Sequence, residues 1–471
     1  MTSWLPNLSE GAGPLYLRLA ERIERDIERG VLTEGTKLPP QRNLAFDVGV
    51  TLGTVSRAYA VARERGLVNG EVGRGTYVLR RAERHEAVAG HAIDIKASVF
   101  ADSAVNATLR MDSTAAADVG QAGVIGPMVA EVFADFPHHA NDYTRTIRDE
   151  WREAGAHWLT SGGWRPSLDT IVPAQGVLSG IESVIGAVTA PGDRVAFEDL
   201  SYSALARGAA LIGRRPITVQ GGNEGIDPDD FQAVCAREHP KALVLSPTFN
   251  NPTMSIMPVE NRQRIAEIAR RYNVLIVEDN IYGDALDDGP PPFAAIIPEQ
   301  TFHVSGVSKT LSAGLRAGWV SCPPNLAGRL VNAKKLLTGG ISFAMTEVTA
   351  RLVLSGEADR LKTRVLEETR TRAAIASEIM AGYSSKGDPH CGFIWLKLPD
   401  PWLPGTFKKA ALERGILIDD ADAFKVGQVD LVCHCVRIGF TAPRTRGDVR
   451  RGLESLAQLL HDTSAGYDSM E

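Results

Sequence analysis

The first eighty residues show a pattern of hydrophobic and polar positions that predicts three short helices followed by a β-hairpin. The first helix is indicated by apolar residues that recur at every fourth position among charged ones: Leu15, Leu19, Ile23 and Ile27. Gly30 follows as its expected C-cap residue. A second, short helix is expected after Pro39 and Pro40, because proline is tolerated in the first turn of a helix.

A third helix is predicted to begin after Thr51, the expected N-cap residue. Its apolar positions would face inward: Val55, Tyr59 and Ala62. Its polar positions would face outward: Thr54, Ser56 and Arg57. Turn-forming residues between 69 and 75 then separate two short runs, which indicates a hairpin. This order predicts a winged helix-turn-helix, an α+β domain; on the pattern alone, a small helical bundle for dimerisation or protein contact stays an alternative.

Beyond residue 170 the chain alternates short apolar runs with amphipathic stretches such as residues 259–272. Four of the runs are nearly continuous in apolar residues: 194–197, 242–245, 274–277 and 302–304. Strands of this kind, separated by helices, predict an α/β domain with a mainly parallel sheet. Ligands of such sheets bind at the carboxyl ends of the strands.

Polar groups directly follow three of these runs. Asn250 and Asn251 follow the second run, Asp279 follows the third, and residues 305–309, which end in Lys309, follow the fourth. An acid, an amide and a lysine at one sheet edge can serve a phosphate, a metal or a cofactor held as a Schiff base. A metal is disfavoured because only one carboxylate is well placed, and the sequence has no P-loop motif.

The formal charge of −6 over 471 residues argues against a nucleic-acid binder, but the charge is unevenly distributed. Residues 1–80 hold 11 Lys and Arg against 9 Asp and Glu, whereas the remainder holds 40 against 48. A basic first domain joined to an acidic second domain suits an attached DNA-binding module. The sequence shows neither a secretory signal pattern nor an apolar run of about 20 residues, which predicts a cytoplasmic protein.

The five cysteines are scattered and odd in number, so a disulfide framework is not expected. Cys433 and Cys435 flank His434, but neighbours this close in sequence cannot all turn toward one tetrahedral ion. We therefore expect a core strand there and no metal site. Residues 81–105 are charged and rich in Ala and Gly, which predicts a linker between a first domain at 12–80 and a second domain at 106–471.

The sequence from Lys37 to Val78 resembles the GntR-type DNA-binding domain over nearly its whole length. The matching motifs are LPPQR, GVTLGTVSRAY and GRGTYV. The resemblance implies that seven residues contact operator DNA: Arg42, Thr51, Thr54, Ser56, Arg57, Arg74 and Gly75. Such helices present donors to phosphate and arginines to guanine edges. Gly53 departs from the pattern, since a polar or basic residue is common there, so one contact is expected to be missing.

The second domain resembles the fold-type I enzymes of the aspartate aminotransferase family. The matching motifs are SPTFNNPTM, VEDNIYGDAL, SGVSKTLSAGLRAGW and VRIGF, in the family's order. The resemblance implies a mainly parallel sheet, a smaller C-terminal α/β subdomain and the cofactor pyridoxal 5'-phosphate (PLP). It makes Lys309 the residue that forms the Schiff base with PLP, and Asp279 the acid that keeps the pyridine nitrogen protonated.

The same resemblance implies roles for other residues around the cofactor. Asn251 and Tyr282 match the residues that bond the phenolic oxygen of PLP, and Tyr202 matches the aromatic residue stacked on its ring. Four residues match the phosphate ligands: Ala174, Gln175, Ser308 and Arg316. Arg437 matches the arginine that binds a substrate carboxylate through two hydrogen bonds, with a structural ion pair as the alternative role.

Three departures from the aminotransferase pattern bear on catalysis. Pro173 stands where a glycine usually precedes Ala-Gln, and Gly306 stands where a serine is usual. The stretch after Tyr143 lacks the glycine-bearing entrance loop of active aminotransferases. We therefore expect the chain to bind PLP but to turn over substrate weakly.

The two resemblances together identify the architecture of MocR/GabR-type transcriptional regulators. They imply a homodimer in which the amino group of a small effector displaces Lys309 from PLP, as an external aldimine, and so changes operator binding through a population shift. Two alternatives stay open. One is an active class I/II aminotransferase with an appended regulatory or vestigial DNA-binding domain, and the other is a regulator that senses PLP itself.

Overall fold

The computed structural model describes residues 4–6, 14–64, 67–71, 75–79, 108–286, 289–427 and 432–462. The chain divides into two units, Met1–Val105 and Asn106–Glu471. The predicted linker, residues 81–105, lies outside the described residues. Within the described part, no helix is both long and apolar enough to cross a membrane.

The described residues of the first unit form three helices and a two-stranded antiparallel hairpin, in the order predicted for a winged helix-turn-helix. Its elements are α1 (Leu15–Glu28), α2 (Gln41–Val48), α3 (Leu52–Glu64), β1 (Val68–Glu71) and β2 (Gly75–Val78). The predicted inward positions of α3 are buried, and so are Leu19, Ile23 and Ile27 of α1. Leu15 differs from the prediction: it lies in the first turn of α1 and is 43% exposed.

Local chemistry explains the turn between α2 and α3. Gly49 ends α2 with a φ of 70°, a left-handed conformation that glycine adopts at low cost. The backbone N–H of Thr54 donates to Thr51 Oγ1 at 3.2 Å, which confirms Thr51 as the N-cap residue of α3. The Tyr59 hydroxyl donates to the carbonyl of Pro39 at 2.8 Å and so ties α3 to the loop before α2.

The first part of the second unit contains a short strand and a large α/β layer structure. Its elements, in chain order, are β3 (Leu109–Arg110), α4 (Ala122–Asp135), α5 (Asp149–Trp158), β4 (Ile171–Ala174), α6 (Val177–Val188), β5 (Arg194–Glu198), α7 (Ala204–Leu211), β6 (Arg215–Val219), β7 (Gly221–Gly222), β8 (Gly225–Ile226), α8 (Pro228–Glu238), β9 (Ala242–Leu245), α9 (Val259–Tyr272), β10 (Leu275–Asp279), α10 (Phe293–Ile296), β11 (Thr301–Gly306) and β12 (Gly318–Ser321).

Seven of these strands form one sheet in the order β4-β12-β11-β10-β9-β5-β6. β12 is antiparallel to both of its neighbours, and the other pairs are parallel. The four apolar runs of the sequence are the strands β5, β9, β10 and β11, so the mainly parallel sheet is confirmed. Pro173 lies in the edge strand β4, where a missing backbone donor is tolerated.

The remaining elements include a smaller subdomain with its own antiparallel sheet. They are α11 (Ala327–Thr338), α12 (Phe343–Leu354), α13 (Glu357–Ile379), β13 (Ser385–Gly387), β14 (Phe393–Lys397), α14 (Pro404–Glu413), β15 (Ile416–Leu417), β16 (Asp419–Asp420), β17 (Cys435–Gly439) and α15 (Arg446–His461).

The sheet of this small subdomain has the order β13-β14-β17-β16, and β15 pairs in parallel with β3. Met111, just after β3, is buried in the same core as α13 and α15. The segment that follows the predicted linker is therefore built into the small subdomain. Cys435 begins β17 and Cys433 precedes it; both thiols are half-buried, so this stretch is only partly the core strand that we expected.

Candidate functional site

The first unit presents the predicted DNA-contacting residues along α2, α3 and the hairpin. Arg42 lies in the first turn of α2 and is exposed. Thr51, Ser56 and Arg57 are also exposed, whereas Thr54 is half-buried. The Arg57 guanidinium lies 5.6 Å from the centre of the Tyr16 ring, a cation–π contact that helps to hold the arginine in place.

Two predicted DNA contacts fall on the hairpin. Gly75 begins β2, and its Cα lies opposite that of Glu71 in β1. Arg74 lies outside the described residues. The geometry of the first unit therefore brings Thr51, Ser56 and Arg57 together at the exposed start of α3, and DNA contact by all seven residues stays a prediction.

A cavity of about 390 Å³ opens in the second unit at the carboxyl ends of the parallel strands. It brings together eight of the predicted site residues: Tyr202, Asn251, Asp279, Tyr282, Ser308, Lys309, Arg316 and Arg437. For the residues that end or follow β5, β9, β10 and β11, this placement follows from the parallel sheet, because strands of the same direction end at the same edge. Arg437 comes instead from β17 of the small subdomain. Ala174 and Gln175 do not line the cavity.

Asp279 is the last residue of β10 and is buried. Burial raises the pKa of its carboxyl from 3.8 to about 6, although a 3.1 Å hydrogen bond from the Ile281 N–H and the charges of Lys309 and His303 oppose the change. A buried carboxyl of this kind is stabilised by a cationic partner. A protonated pyridine ring meets that requirement, so this position fits PLP.

Lys309 points into the same cavity, where its Nζ donates to Thr114 Oγ1 at 2.9 Å. The same Thr114 hydroxyl lies 2.8 Å from the hydroxyl of Tyr282. Burial, followed by the positive charge of Arg437, lowers the pKa of the lysine amine from 10.5 to about 8. A substantial fraction of the amine is therefore neutral near pH 7.5, and the neutral amine is the form that reacts with an aldehyde.

Thr114 is a site residue that the sequence analysis missed. It belongs to the segment after β3, where the alanine-rich pattern between residues 106 and 140 indicates no particular element. The signal that could have found it is a short strand, Leu109–Arg110, that is followed after Met111 by the polar residues 112–114. Asp112 and Ser113 also line the cavity.

The side of the cavity near α6 has the features of an anion site. Val177 and Leu178, at the start of α6, line it together with Ser308 and Arg316. Gly176, just before α6, has a φ of 83°. The N-terminus of a helix favours a phosphate because its free N–H groups and dipole face the anion.

The side chain of Gln175 is engaged elsewhere. Its amide donates to the carbonyl of Gly340 at 2.9 Å, while Ala174 is buried as the last residue of β4. The structure therefore gives Gln175 a partner other than a phosphate, and the contribution of Ala174 and Gln175 to phosphate binding stays a prediction.

Arg437, in β17, is 6% exposed and borders the cavity. Its Nη1 donates to Asn251 Oδ1 at 2.8 Å. Its Nη2 donates to the carbonyl of Asp112 at 2.6 Å and to Asp419 Oδ2 at 2.5 Å. Its Nε is buried and has no hydrogen-bond partner among the described residues. Tyr202, by contrast, is 42% exposed at the rim of the cavity.

Two protein-family profiles match this chain and identify its two domains. The profile for aminotransferase class I and II matches residues 126–456, more than half of the chain. The chain belongs to this family. Residues 15–78 match the bacterial regulatory proteins of the gntR family. This class I and II aminotransferase domain is therefore fused to a DNA-binding regulatory domain, which is the MocR/GabR-type architecture.

Proteins with similar sequences include both a transcriptional regulator and an aminotransferase. YdeF, an HTH-type transcriptional regulator of Bacillus subtilis (strain 168), is 30% identical over 462 residues, which cover 98% of this chain and 97% of YdeF. The aromatic-amino-acid aminotransferase 1 of Thermococcus litoralis is 24% identical over 355 residues, which cover 72% of this chain and 84% of that enzyme.

The crystal structure of LysN, an α-aminoadipate aminotransferase from Thermus thermophilus complexed with N-(5'-phosphopyridoxyl)-L-leucine, matches with a TM-score of 0.68 and 22% identity. The match covers 76% of this chain and 94% of LysN. It shows a shared fold.

PLP is the cofactor of this aminotransferase family and of this chain. When bound, it supplies an aldehyde that condenses with amines and a ring that withdraws electrons from the product. The buried acid Asp279, the Lys309 amine of lowered pKa and the helix N-terminus at Val177 fit the ring nitrogen, the aldehyde and the phosphate, respectively. Among the described residues, no group of three or more His, Cys, Asp or Glu side chains is arranged to hold a metal ion.

The structure explains why glycine occupies position 306, one of the departures from the usual aminotransferase pattern. A Cβ atom at this position would lie 2.9 Å from the carbonyl oxygen of Ala317 and 3.2 Å from Val177 Cγ2. Real Cβ atoms essentially never approach a backbone oxygen so closely. The close approach of β11 and β12 therefore leaves no space for the serine that is usual here.

Proposed function

We propose that this DNA-binding regulator holds PLP on Lys309 and senses a small amino compound whose amine takes the place of the lysine amine. In this proposal Asp279 pairs with the ring nitrogen, Asn251 and Tyr282 bond the phenolic oxygen, and Tyr202 stacks on the ring. Four residues bind the phosphate: Ala174, Gln175, Ser308 and Arg316. Arg437 receives a carboxylate when the effector has one.

The observation that supports sensing of an effector is the position of residues 111–116, the segment after β3. Thr114 in this segment accepts the hydrogen bond of the Lys309 amine, and the carbonyl of Asp112 accepts one from Arg437. The N–H of Ala116 donates to the carbonyl of Ser308 at 3.0 Å. The same segment directly follows, in the chain, the residues that connect to the DNA-binding domain. An amine that replaces Lys309 therefore changes contacts of the very segment that leads to that domain.

A regulator of this kind requires the effector to bind one conformational state better than another. We propose that the states are those of a homodimer that presents two DNA-binding domains to operator DNA, with residues 12–80 as the DNA-binding domain, 81–105 as the linker and 106–471 as the effector-binding and dimerisation domain.

The experiment uses the full-length, PLP-loaded protein and DNA that it selects from a random-sequence pool. A panel of amino acids and amines is followed by visible absorbance, DNA mobility and release of keto acid. We expect some compounds to change both the absorbance and the DNA affinity while little keto acid forms. Lys309→Ala should lose the borohydride-reducible attachment of PLP and the response, whereas the exposed control Lys335→Ala should keep both.

A second candidate function is favoured by the Lys309 amine, whose lowered pKa of about 8 also suits catalytic turnover. Keto-acid release at about 1–1000 per second, with unchanged DNA binding, would establish an aminotransferase instead. DNA affinity that follows PLP alone, with no effect of any amine, would indicate a sensor of PLP. Persistence of the reducible attachment in Lys309→Ala would contradict the role of Lys309.

A further inference from the structure

The guanidinium of Arg437 is already occupied on the edges that a carboxylate would use. A guanidinium offers two edges for side-by-side hydrogen bonds, Nε with Nη2 and Nη1 with Nη2, and both include Nη2. Nη2 has two hydrogens and two acceptors, the carbonyl of Asp112 and the carboxylate of Asp419. A second carboxylate can therefore make two parallel hydrogen bonds only if it displaces one of these acceptors.

The two acceptors differ in how easily they can move. The carbonyl of Asp112 belongs to a backbone that is fixed next to it, because the N–H of Met111 donates to the carbonyl of Leu417 at 2.9 Å and the N–H of Gly439 donates to the carbonyl of Met111 at 2.7 Å. The carboxylate of Asp419 needs only a side-chain rotation to leave, and its side chain is 26% exposed. Asp419 is therefore the group that an incoming carboxylate would displace.

The position of Asp419 on the strand next to that of Arg437 favours the contact between them. Asp419 in β16 lies directly opposite Arg437 in the antiparallel pair with β17, so the two side chains are neighbours on one face. The pair is also enclosed, since only 7% of the arginine side chain is exposed. An incoming carboxylate must therefore compete with an enclosed ion pair between neighbouring residues.

The neighbouring charges do not favour an incoming anion at this place. Arg110 is paired with Asp112 through two hydrogen bonds of 2.8 and 3.0 Å. Arg437 and Asp419 likewise compensate each other. Arg110 and Arg437 are thus each paired with a carboxylate. Arg316, which lines the part of the cavity near α6, forms no ion pair with a described residue.

We propose that Asp419 is an internal competitor for the carboxylate site of Arg437 and a specificity-determining residue of the effector site. The consequence is a wild-type protein that discriminates little between an α-amino acid and the corresponding amine without its carboxylate. The inference rests on the proposed exchange of amines at Lys309, and it concerns the chemical class of effector that this exchange accepts.

The test compares matched pairs of probes on the PLP-loaded full-length protein: L-leucine with 3-methylbutylamine, and L-alanine with ethylamine. Affinities are measured from the change in visible absorbance and, independently, from the change in mobility of the selected DNA. In Asp419→Asn the affinity for both amino acids should increase about tenfold, while that for the amines stays within about twofold of wild type. Asp419→Ala should change the same ratio in the same direction.

The matched control is Asp422→Asn. Asp422 lies three residues after Asp419, and its side chain is 69% exposed and paired with Lys425, so the substitution removes a negative charge close to the site without touching Arg437. It should leave the ratio of amino-acid to amine affinity unchanged. An unchanged ratio in both Asp419 variants, while the amines still alter the absorbance, would overturn this inference and leave the proposed function intact. The absence of any response in wild type, to these four probes and to the whole panel of amino acids and amines, would instead overturn the proposed function, and this inference with it.

Discussion

The Lys309 amine donates a 2.9 Å hydrogen bond to the hydroxyl of Thr114, a residue 195 positions earlier in the chain. Because the Thr114 hydroxyl also contacts the Tyr282 hydroxyl, it joins two of the residues predicted to bind PLP. Thr114 is itself buried, on the segment that follows the chain region between the two domains. This contact links the state of the lysine amine to the position of that segment.

We expect Thr114→Val to uncouple effector binding from DNA binding. The substitution keeps the shape of the side chain but removes the hydroxyl, so the segment no longer responds to the departure of the Lys309 amine. PLP should still attach to Lys309, as borohydride reduction measures, while the effect of an active amine on DNA affinity decreases at least about fivefold, roughly the lower end of allosteric coupling. Thr114→Ser, which restores the hydroxyl, should respond as wild type does. A full response in Thr114→Val would exclude this route of coupling.

We expect Asp279→Asn to have opposite effects on stability and on cofactor affinity. In the cofactor-free protein the raised pKa of Asp279 means that the folded state binds the proton more tightly than the unfolded state, so stability falls as pH rises from about 4 through about 6. The shift from 3.8 to about 6 corresponds to a cost of up to about 3 kcal/mol above pH 6. Asn removes this cost, since it carries no charge.

Urea unfolding of the two cofactor-free proteins checks this prediction. Asp279→Asn should be the more stable protein at pH 8, and the difference should shrink as the pH approaches 4. In the presence of PLP the order should reverse, because the ring nitrogen loses its counter-charge and PLP binds more weakly to the variant. Equal PLP affinity of the two proteins would show that Asp279 is not the partner of the ring nitrogen.

We expect Gly306→Ser to destabilise the second domain rather than to improve phosphate binding. Its Cβ would lie 2.9 Å from the Ala317 carbonyl oxygen, so β11 and β12 must separate. Overpacking of this kind costs about 1–3 kcal/mol in the free energy of unfolding. Gly328→Ala, on an exposed turn of α11 with no atom within 4 Å of the added Cβ, is the control and should be neutral or stabilising. Tighter PLP binding with unchanged stability in Gly306→Ser would contradict the structural explanation.

We expect Arg57→Ala to weaken binding to the selected DNA without any change in the PLP absorbance. A lost base contact should cost about 1–3 kcal/mol at one base position, whereas a lost phosphate contact should weaken all sequences alike and reduce the salt dependence. DNA mobility at several salt concentrations distinguishes the two. Arg360→Ala, which removes an exposed positive charge in the second domain, should bind DNA as wild type does. Equal affinity of both variants would argue against α3 as the recognition helix.

Much of the fold was predictable because its determinants are local in the sequence. The stripe through Leu19, Ile23 and Ile27 and the Thr51 cap specify α1 and the start of α3 through interactions between residues a few positions apart. Nearly continuous apolar runs indicate buried parallel strands, and such strands must end at one edge. That rule is sufficient to place Asp279 and Lys309 in one cavity.

Other features of the site depend on contacts that the sequence pattern does not encode. Thr114 meets Lys309 only because β3 pairs with β15 and brings the segment across the cavity. Gly306 is closed to a side chain only because Ala317 and Val177 lie against it.

The sequence by itself determined two domains, a winged helix-turn-helix and a mainly parallel α/β sheet, and the chemical types of residue at the edge of that sheet. Only the tertiary structure decided which groups meet there, such as Asp419 on Arg437. The physical reason is that helix periodicity, capping and strand burial are properties of neighbouring residues, whereas hydrogen bonds between distant segments depend on register and direction over a few tenths of an ångström.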